Sequence, residues 1–115
     1  MAQNEFLVNW GSQARKGILE LVVMSTLAAR EYYGYELVEH LKARCGLEVA
    51  DGTLYAILLR LKNEGFVRHR WEHAATGPGR KYYALTKGGQ MALADMRTIW
   101  GDITRAVERA KGGGG

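Results

Sequence analysis

The chain has 115 residues, of which 16 are basic and 12 acidic, giving a net charge of +4. This length suits one small domain, and an apolar content of 47% is too high for a disordered chain. The single cysteine excludes an internal disulfide and suits a reducing cytoplasm. No apolar run approaches the roughly 20 residues of a membrane span, and the N-terminus lacks a signal-peptide pattern, so we expect a cytoplasmic protein without a membrane partner.

The first predicted helix covers residues 12–29, with Ser12 as its N-cap. Apolar side chains recur along this helix with helical spacing and form a main stripe of Ile18, Leu19, Val22 and Val23. Further apolar residues occupy its other sides. A helix that is apolar nearly all round is buried on more than one face. We therefore expect one face to meet the core and another to meet a second subunit.

The second predicted helix is Gly34–Cys45, and Gly46 closes it as a C-cap. We expect Cys45 to pack there as a small hydrophobe. After a short connection, Asp51 is expected to cap the third helix, which ends at Glu64. These two helices, joined by a short turn, have the arrangement of a helix-turn-helix.

The third helix has two different faces. Its core face follows the spacing i, i+3, i+4, i+7, with Leu54, Ile57, Leu58 and Leu61. The opposite face is free to meet base edges in the major groove, with Thr53, Ala56, Arg60 and Asn63. We expect Tyr55, and Lys16 of the first helix, to lie near phosphate.

A basic β-hairpin follows the third helix directly, with strands within residues 66–72 and 80–86. Its first strand alternates in a way typical of half-buried strands, with Val67, His69 and Trp71 set against Arg68, Arg70 and Glu72. Gly77, Pro78 and Gly79 form the tip, and Arg80 and Lys81 follow it. A helix joined to a basic hairpin is the working half of a winged helix-turn-helix, in which the helix enters a DNA groove and the wing grips the backbone.

Positive charge is concentrated in this helix and hairpin. Residues 60–81 hold six basic and two acidic side chains, net +4; residues 87–111 are net +2 and the remainder is net −2. A basic cluster can be simply a solvated face, but this placement beside a predicted recognition helix favours double-stranded DNA as the partner.

The last predicted helix, Lys87–Lys111, begins after Thr86 as its cap. Apolar residues repeat along it at spacings of 4, 3, 4, 3 and 4, as in a coiled coil: Ala92, Met96, Ile99, Ile103, Ala106 and Ala110. A second stripe holds Leu93, Trp100 and Val107. We expect this helix to form a homodimer, whose two-fold symmetry suits an inverted-repeat operator with half-sites about 10 base pairs apart.

The predicted fold is therefore mainly α-helical with a small β-hairpin. Residues 1–86 form a winged helix-turn-helix, residues 87–111 form a C-terminal dimerisation helix in the same compact unit, and residues 112–115 form a flexible glycine tail.

Four motifs resemble those of the PadR family of bacterial transcriptional regulators: KGILELVVMSTL (16–27), YGYEL (33–37), DGTLYAILLRLKNEGFV (51–67) and GPGRKYYALTKGG (77–89). The resemblance covers nearly the whole chain. With its single C-terminal helix, the chain is similar to the short branch of the family, which includes multidrug-sensing repressors. It implies a homodimeric winged-helix repressor whose first and last helices cross between subunits. Ala56 departs from the family pattern, which usually has proline there.

The resemblance also implies an effector site. Trp100 falls where ligand-sensing members place a central tryptophan, two copies of which stack on planar aromatic compounds. The same alignment lines that space with Leu21, Met24, Ser25 and Met96, with Thr104 one turn further. The alternative is that Trp100 only packs the dimer interface.

Other chemistries are less well supported by the residues. His40, His69 and His73 lack metal-ligand spacing with Cys45, GPGRK lacks the context of a phosphate loop, and we identify no nucleophile–base set and no cofactor motif. We therefore expect no enzymatic activity. The competing function is a ligand- or protein-binding adaptor whose winged helix does not read DNA.

Overall fold

The computed structural model describes residues 2–112, with side chains from residue 4. Residues 113–115 of the predicted tail lie outside the described part. The elements in chain order are α1 (Ala2–Ala29), β1 (Tyr32–Tyr33), α2 (Gly34–Cys45), α3 (Asp51–Asn63), β2 (Val67–Glu72), β3 (Arg80–Leu85) and α4 (Lys87–Ala110). The predicted mainly helical winged helix-turn-helix is confirmed as a fold class.

Helix α1 begins ten residues earlier than predicted, at Ala2, so Ser12 lies inside the helix and is not its cap. The residues before Ser12 contain no proline, and one mid-helix glycine, Gly11, costs only about 1 kcal/mol relative to alanine. Phe6 and Trp10 extend the apolar side of the helix and are 65% and 62% exposed. The helix thus reaches beyond the body of the protomer with apolar side chains uncovered.

The ends of α2 and α3 are set by local backbone chemistry. Gly46 adopts φ 68°, the left-handed conformation predicted for the C-cap of α2. At α3 the N-cap is Ala50 and not Asp51, which instead occupies the first turn, where its charge interacts favourably with the helix dipole. Cys45 is exposed at the end of α2, so the expectation that it packs as a hydrophobe is wrong.

The sheet has three antiparallel strands in the order β1-β3-β2. The two-residue strand β1 was not predicted; it pairs Tyr32 with Tyr83 and Tyr33 with Tyr82. One sheet face packs on the helices, but the predicted half-burial of β2 ends early, because Trp71 is 58% exposed. The outer half of the wing therefore projects beyond the body.

The core lies where all four helices meet the inner sheet face. Its buried apolar side chains are Val23, Met24, Leu27, Tyr32, Leu37, Leu41, Leu54, Leu58, Leu61, Val67, Tyr83, Leu85 and Leu93. Helix α4 enters this core at Gly89, where a Cβ would clash with the carbonyl oxygen of Phe66. Thr86 caps α4 as predicted, because its hydroxyl accepts a hydrogen bond from the Gly89 N–H at 2.9 Å.

No helix within residues 2–112 is both long and apolar enough to cross a membrane.

Candidate nucleic-acid interface and apolar groove

The outward face of α3 carries the predicted base-reading residues. Thr53, Ala56 and Arg60 are exposed, whereas Leu54 and Leu58 on the other side are buried. The helix is thus held by its apolar stripe with its polar face turned to solvent. This is the geometry that a recognition helix needs to enter a major groove.

Tyr55 contacts the start of α2. A Cβ at Gly34 would clash with the Tyr55 hydroxyl and ring, so only glycine lets this ring lie so close to the α2 backbone. The Tyr55 side chain remains 46% exposed. Tyr55 is therefore held against the N-terminus of α2 while part of its surface stays exposed.

Lys16 and Thr53 line one cleft between α1 and the connection from α2 to α3. The cleft has a volume of about 600 Å³, and Ser12 and Arg15 line it as well. The structure therefore brings Lys16 to the N-terminal end of α3, and its contact with phosphate stays a prediction. Arg15 adds a second basic side chain that the sequence reasoning missed.

Arg60 has a partner that the sequence did not reveal. Its Nη1 lies 3.4 Å from Oε1 of Glu20 on α1, with the arginine side chain 71% exposed and the glutamate only 20% exposed. The two residues are forty positions apart, so only the packing of α1 beside α3 brings them together.

Arg80 and Lys81 leave the wing on opposite faces, as neighbours on a strand must. The Arg80 guanidinium lies over the Tyr33 ring, 4.8 Å from its centroid. The Lys81 ammonium lies over Trp71 at 5.5 Å. Within residues 2–112 neither has an ion-pair partner, so both charges stay unopposed there.

Arg70 is neutralised by two carboxylates, one on the wing and one between α1 and β1. It forms ion pairs with Glu31 and with Glu72, the latter at 3.0 Å, and lies over the Tyr82 ring at 4.6 Å. The hydrogen bond from Arg70 lowers the pKa of Glu31, which keeps that carboxylate ionised. With Arg60 also paired, two of the six basic residues counted between positions 60 and 81 do not offer unopposed charge to DNA.

Two of the three histidines, His40 and His69, pack against neighbouring tyrosine rings. The Tyr32 hydroxyl lies 3.4 Å from His40 Nδ1. Burial, helped by Lys62 and Lys81, lowers the pKa of His69. Among the described residues, no group of three or more His, Cys, Asp and Glu side chains is placed to hold a metal ion.

The exposed apolar face of α4 begins after its first turns. Ala92 and Met96, predicted on the dimer seam, are partly buried against the core of the chain itself. Further along, Ile99, Ile103 and Val107 are 58%, 48% and 54% exposed. Ala106 and Ala110 are exposed as well. The exposed part of the predicted seam therefore occupies the C-terminal half of α4.

An apolar groove of about 570 Å³ runs between α1 and α4. The α1 side includes Trp10, Ile18 and Leu21, and the α4 side includes Met96, Ile99, Trp100, Ile103 and Val107. A second groove of about 520 Å³ lies beyond Trp100 and includes Leu21, Ser25, Tyr32 and Arg97. Trp100, Ile18 and Leu21 line both grooves.

The predicted effector residues divide between these grooves and other places. Leu21, Ser25, Met96 and Trp100 line one groove or both. Met24 departs from the prediction, because it is 0% exposed and belongs to the protomer core. Thr104 lines neither groove, and its hydroxyl donates to the Gly101 carbonyl oxygen at 3.0 Å.

Comparison with known proteins identifies the family to which this chain is similar. Residues 23–95 match the model of the family described as Transcriptional regulator PadR-like family. The chain is 28% identical to a PadR family transcriptional regulator from Eggerthella lenta, with a TM-score of 0.88 over 99% of both chains. It is 29% identical over 93 residues to a transcriptional regulator of Mycobacterium tuberculosis, covering 81% of this chain and 85% of that one.

A further solved structure contains DNA. It is Bacillus subtilis PadR in complex with operator DNA, to which this chain is 27% identical with a TM-score of 0.64. The match covers 69% of this chain and 46% of that one.

Proposed function

The chain belongs to the PadR-like family of transcriptional regulators, and from this premise we propose that it is a homodimeric repressor of transcription. It acts in the cytoplasm, binds an inverted-repeat operator, and leaves the operator when a planar aromatic compound binds beside Trp100. The observation that carries DNA binding is the exposed polar face of α3 with basic side chains on both sides of it, Lys16 on α1 and Arg80 and Lys81 on the wing. The Bacillus subtilis PadR complex with operator DNA supports the same partner.

The homodimer is supported by the apolar surface that the protomer leaves uncovered. Ile99, Ile103 and Val107 on α4 continue across the groove to Trp10 and Phe6 on α1, and each is close to half exposed or more. A monomeric protein rarely leaves so continuous an apolar patch in contact with water. A second copy related by a two-fold axis would cover the patch and place two α3 helices on one side of the molecule.

Selection of bound sequences from a random duplex pool tests this function directly. We expect enrichment of an inverted repeat whose half-sites lie about 10 base pairs apart, because two α3 helices on one DNA face are separated by one helical turn. Enrichment without two-fold symmetry would contradict the dimer. No enrichment at all would favour the alternative, a winged-helix adaptor that does not read DNA.

The effector response depends on Trp100, since this residue lines both grooves and its indole can stack on a flat ring. We expect planar aromatic compounds to quench tryptophan fluorescence and to weaken operator binding by about 1–3 kcal/mol of coupling. Trp100→Ala should abolish both responses while leaving operator affinity in the absence of compound nearly unchanged.

Two other tryptophans require controls in that titration. Trp10 lines the same groove, so the measurement is made in a Trp10→Phe background. Trp71 is on the wing and serves as a reference, and Trp71→Phe should keep the full response. Quenching that survives Trp100→Ala would place the compound elsewhere and contradict the proposed effector site.

A further inference from the structure

The starting observation is the ion pair between α1 and the recognition face of α3. Glu20 lies three and four residues before Val23 and Met24, so it continues the stripe by which α1 packs on the core. Its carboxylate stands on a helix fixed by buried contacts and is 20% exposed, whereas the Arg60 side chain is 71% exposed. In this pair the anion is the more fixed member and the arginine the freer one.

We propose that Glu20 is a positioning residue that orients Arg60 toward a base edge and keeps it from binding phosphate. The proposal rests on the proposed function as a DNA-binding regulator. A guanidinium has five N–H donors in a rigid plane. Glu20 Oε1 lies 3.4 Å from Nη1, so the rest of that fork stays free. A guanine offers two acceptors, O6 and N7, that match two such donors.

The same carboxylate lowers the attraction of this site for DNA in general. A lone arginine on α3 would be drawn to the nearest phosphate of any sequence. With a carboxylate behind Arg60, the site has little net charge. Arg60 therefore binds well only to a base that accepts two hydrogen bonds from the oriented guanidinium. Specificity grows when binding to the wrong partner is made less favourable. Because of Glu20, Arg60 favours a specific base over the phosphates of any sequence.

Two variants of Glu20 separate orientation from charge. Glu20→Gln removes the charge, and Glu20→Asp keeps the charge but is one methylene shorter and reaches Arg60 only by drawing it inward. An ion pair whose arginine is 71% exposed contributes little to stability, and neither replacement is larger than glutamate, so both variants should fold normally. Dissociation constants are measured over a series of salt concentrations on the selected operator and on a random duplex.

We expect both variants to lower the ratio of operator affinity to random-duplex affinity by roughly fivefold or more. A fivefold change corresponds to the lower end of the base discrimination that one bidentate arginine–guanine contact provides. Glu20→Gln should also raise random-duplex affinity and steepen its salt dependence by about one phosphate contact, because Arg60 becomes free to bind phosphate. Glu5→Gln on the same helix removes equal charge away from α3 and should change neither quantity.

A double-mutant cycle with Arg60→Ala decides whether the effect passes through Arg60. In that background Glu20→Gln should no longer alter the affinity ratio. An equal alteration with and without Arg60, a wild-type ratio in both single variants, or a wild-type ratio in Glu20→Asp alone would each overturn the positioning role. A wild-type protein that does not distinguish any duplex would instead refute the proposed function itself.

Discussion

Ile103→Asp should turn the protein into a monomer with greatly weakened operator binding. Ile103 is 48% exposed in the protomer and lines the groove between α1 and α4, at the centre of the uncovered apolar face. If a second copy covers this face, the new carboxylate is buried without a partner, at a cost of several kcal/mol, about 3–5 kcal/mol for an uncompensated charge. The monomer then holds one half-site at a time and loses the gain from binding two together.

Sedimentation velocity at micromolar concentration measures the first effect, and operator titration measures the second. Thr98→Asp is the matched control, because it places the same charge on an exposed position of α4 five residues away and on another side of the helix. It should remain dimeric and bind operator normally. A wild-type protein that sediments as a monomer, or an Ile103→Asp variant that stays dimeric, would contradict the proposed interface.

The elements that the sequence predicted well are those with local signals. Helices α2 to α4 and the hairpin have apolar periodicity bounded by punctuating residues, such as Gly46 and Thr86. The start of α1 was missed because the apolar residues at positions 6, 7 and 8 are consecutive and obscure the four-residue spacing of Phe6 and Trp10. Strand β1 was missed because two residues carry no pattern, and only pairing with β3 defines it.

The residues of the candidate site were predictable as a set of types, but their pairing was not. Nothing local links Arg60 to Glu20 or Arg70 to Glu31, which lie 40 and 39 positions apart and meet only in the folded chain. The direction in which a residue of a helix points is equally hard to predict from the sequence. Met24 and Ser25 are adjacent, yet one step of about 100° turns the first into the core and the second into a groove.

The wing supplies the last expected result. Replacing Arg80 and Lys81 together with alanine should weaken operator and random duplex binding alike and flatten the salt dependence by about two phosphate contacts. The two side chains leave β3 on opposite sheet faces next to the tip at Gly79. A wing inserted in a groove would then touch the phosphates of both flanking strands, one with each residue. Each single substitution should accordingly remove about one contact from the salt slope.

Arg70 provides the control within the same wing. A count of charges cannot distinguish it from Arg80, but the structure does, because Glu31 and Glu72 already neutralise it. A guanidinium that releases no counterion from DNA leaves the salt slope unchanged, so Arg70→Gln should bind with the wild-type slope. A slope that falls as much for Arg70→Gln as for Arg80→Ala would mean that DNA displaces Glu31 and Glu72 from Arg70. An unchanged slope in the double variant would mean that the wing points away from the duplex, leaving α3 and Lys16 as the contacts that hold the protein on DNA.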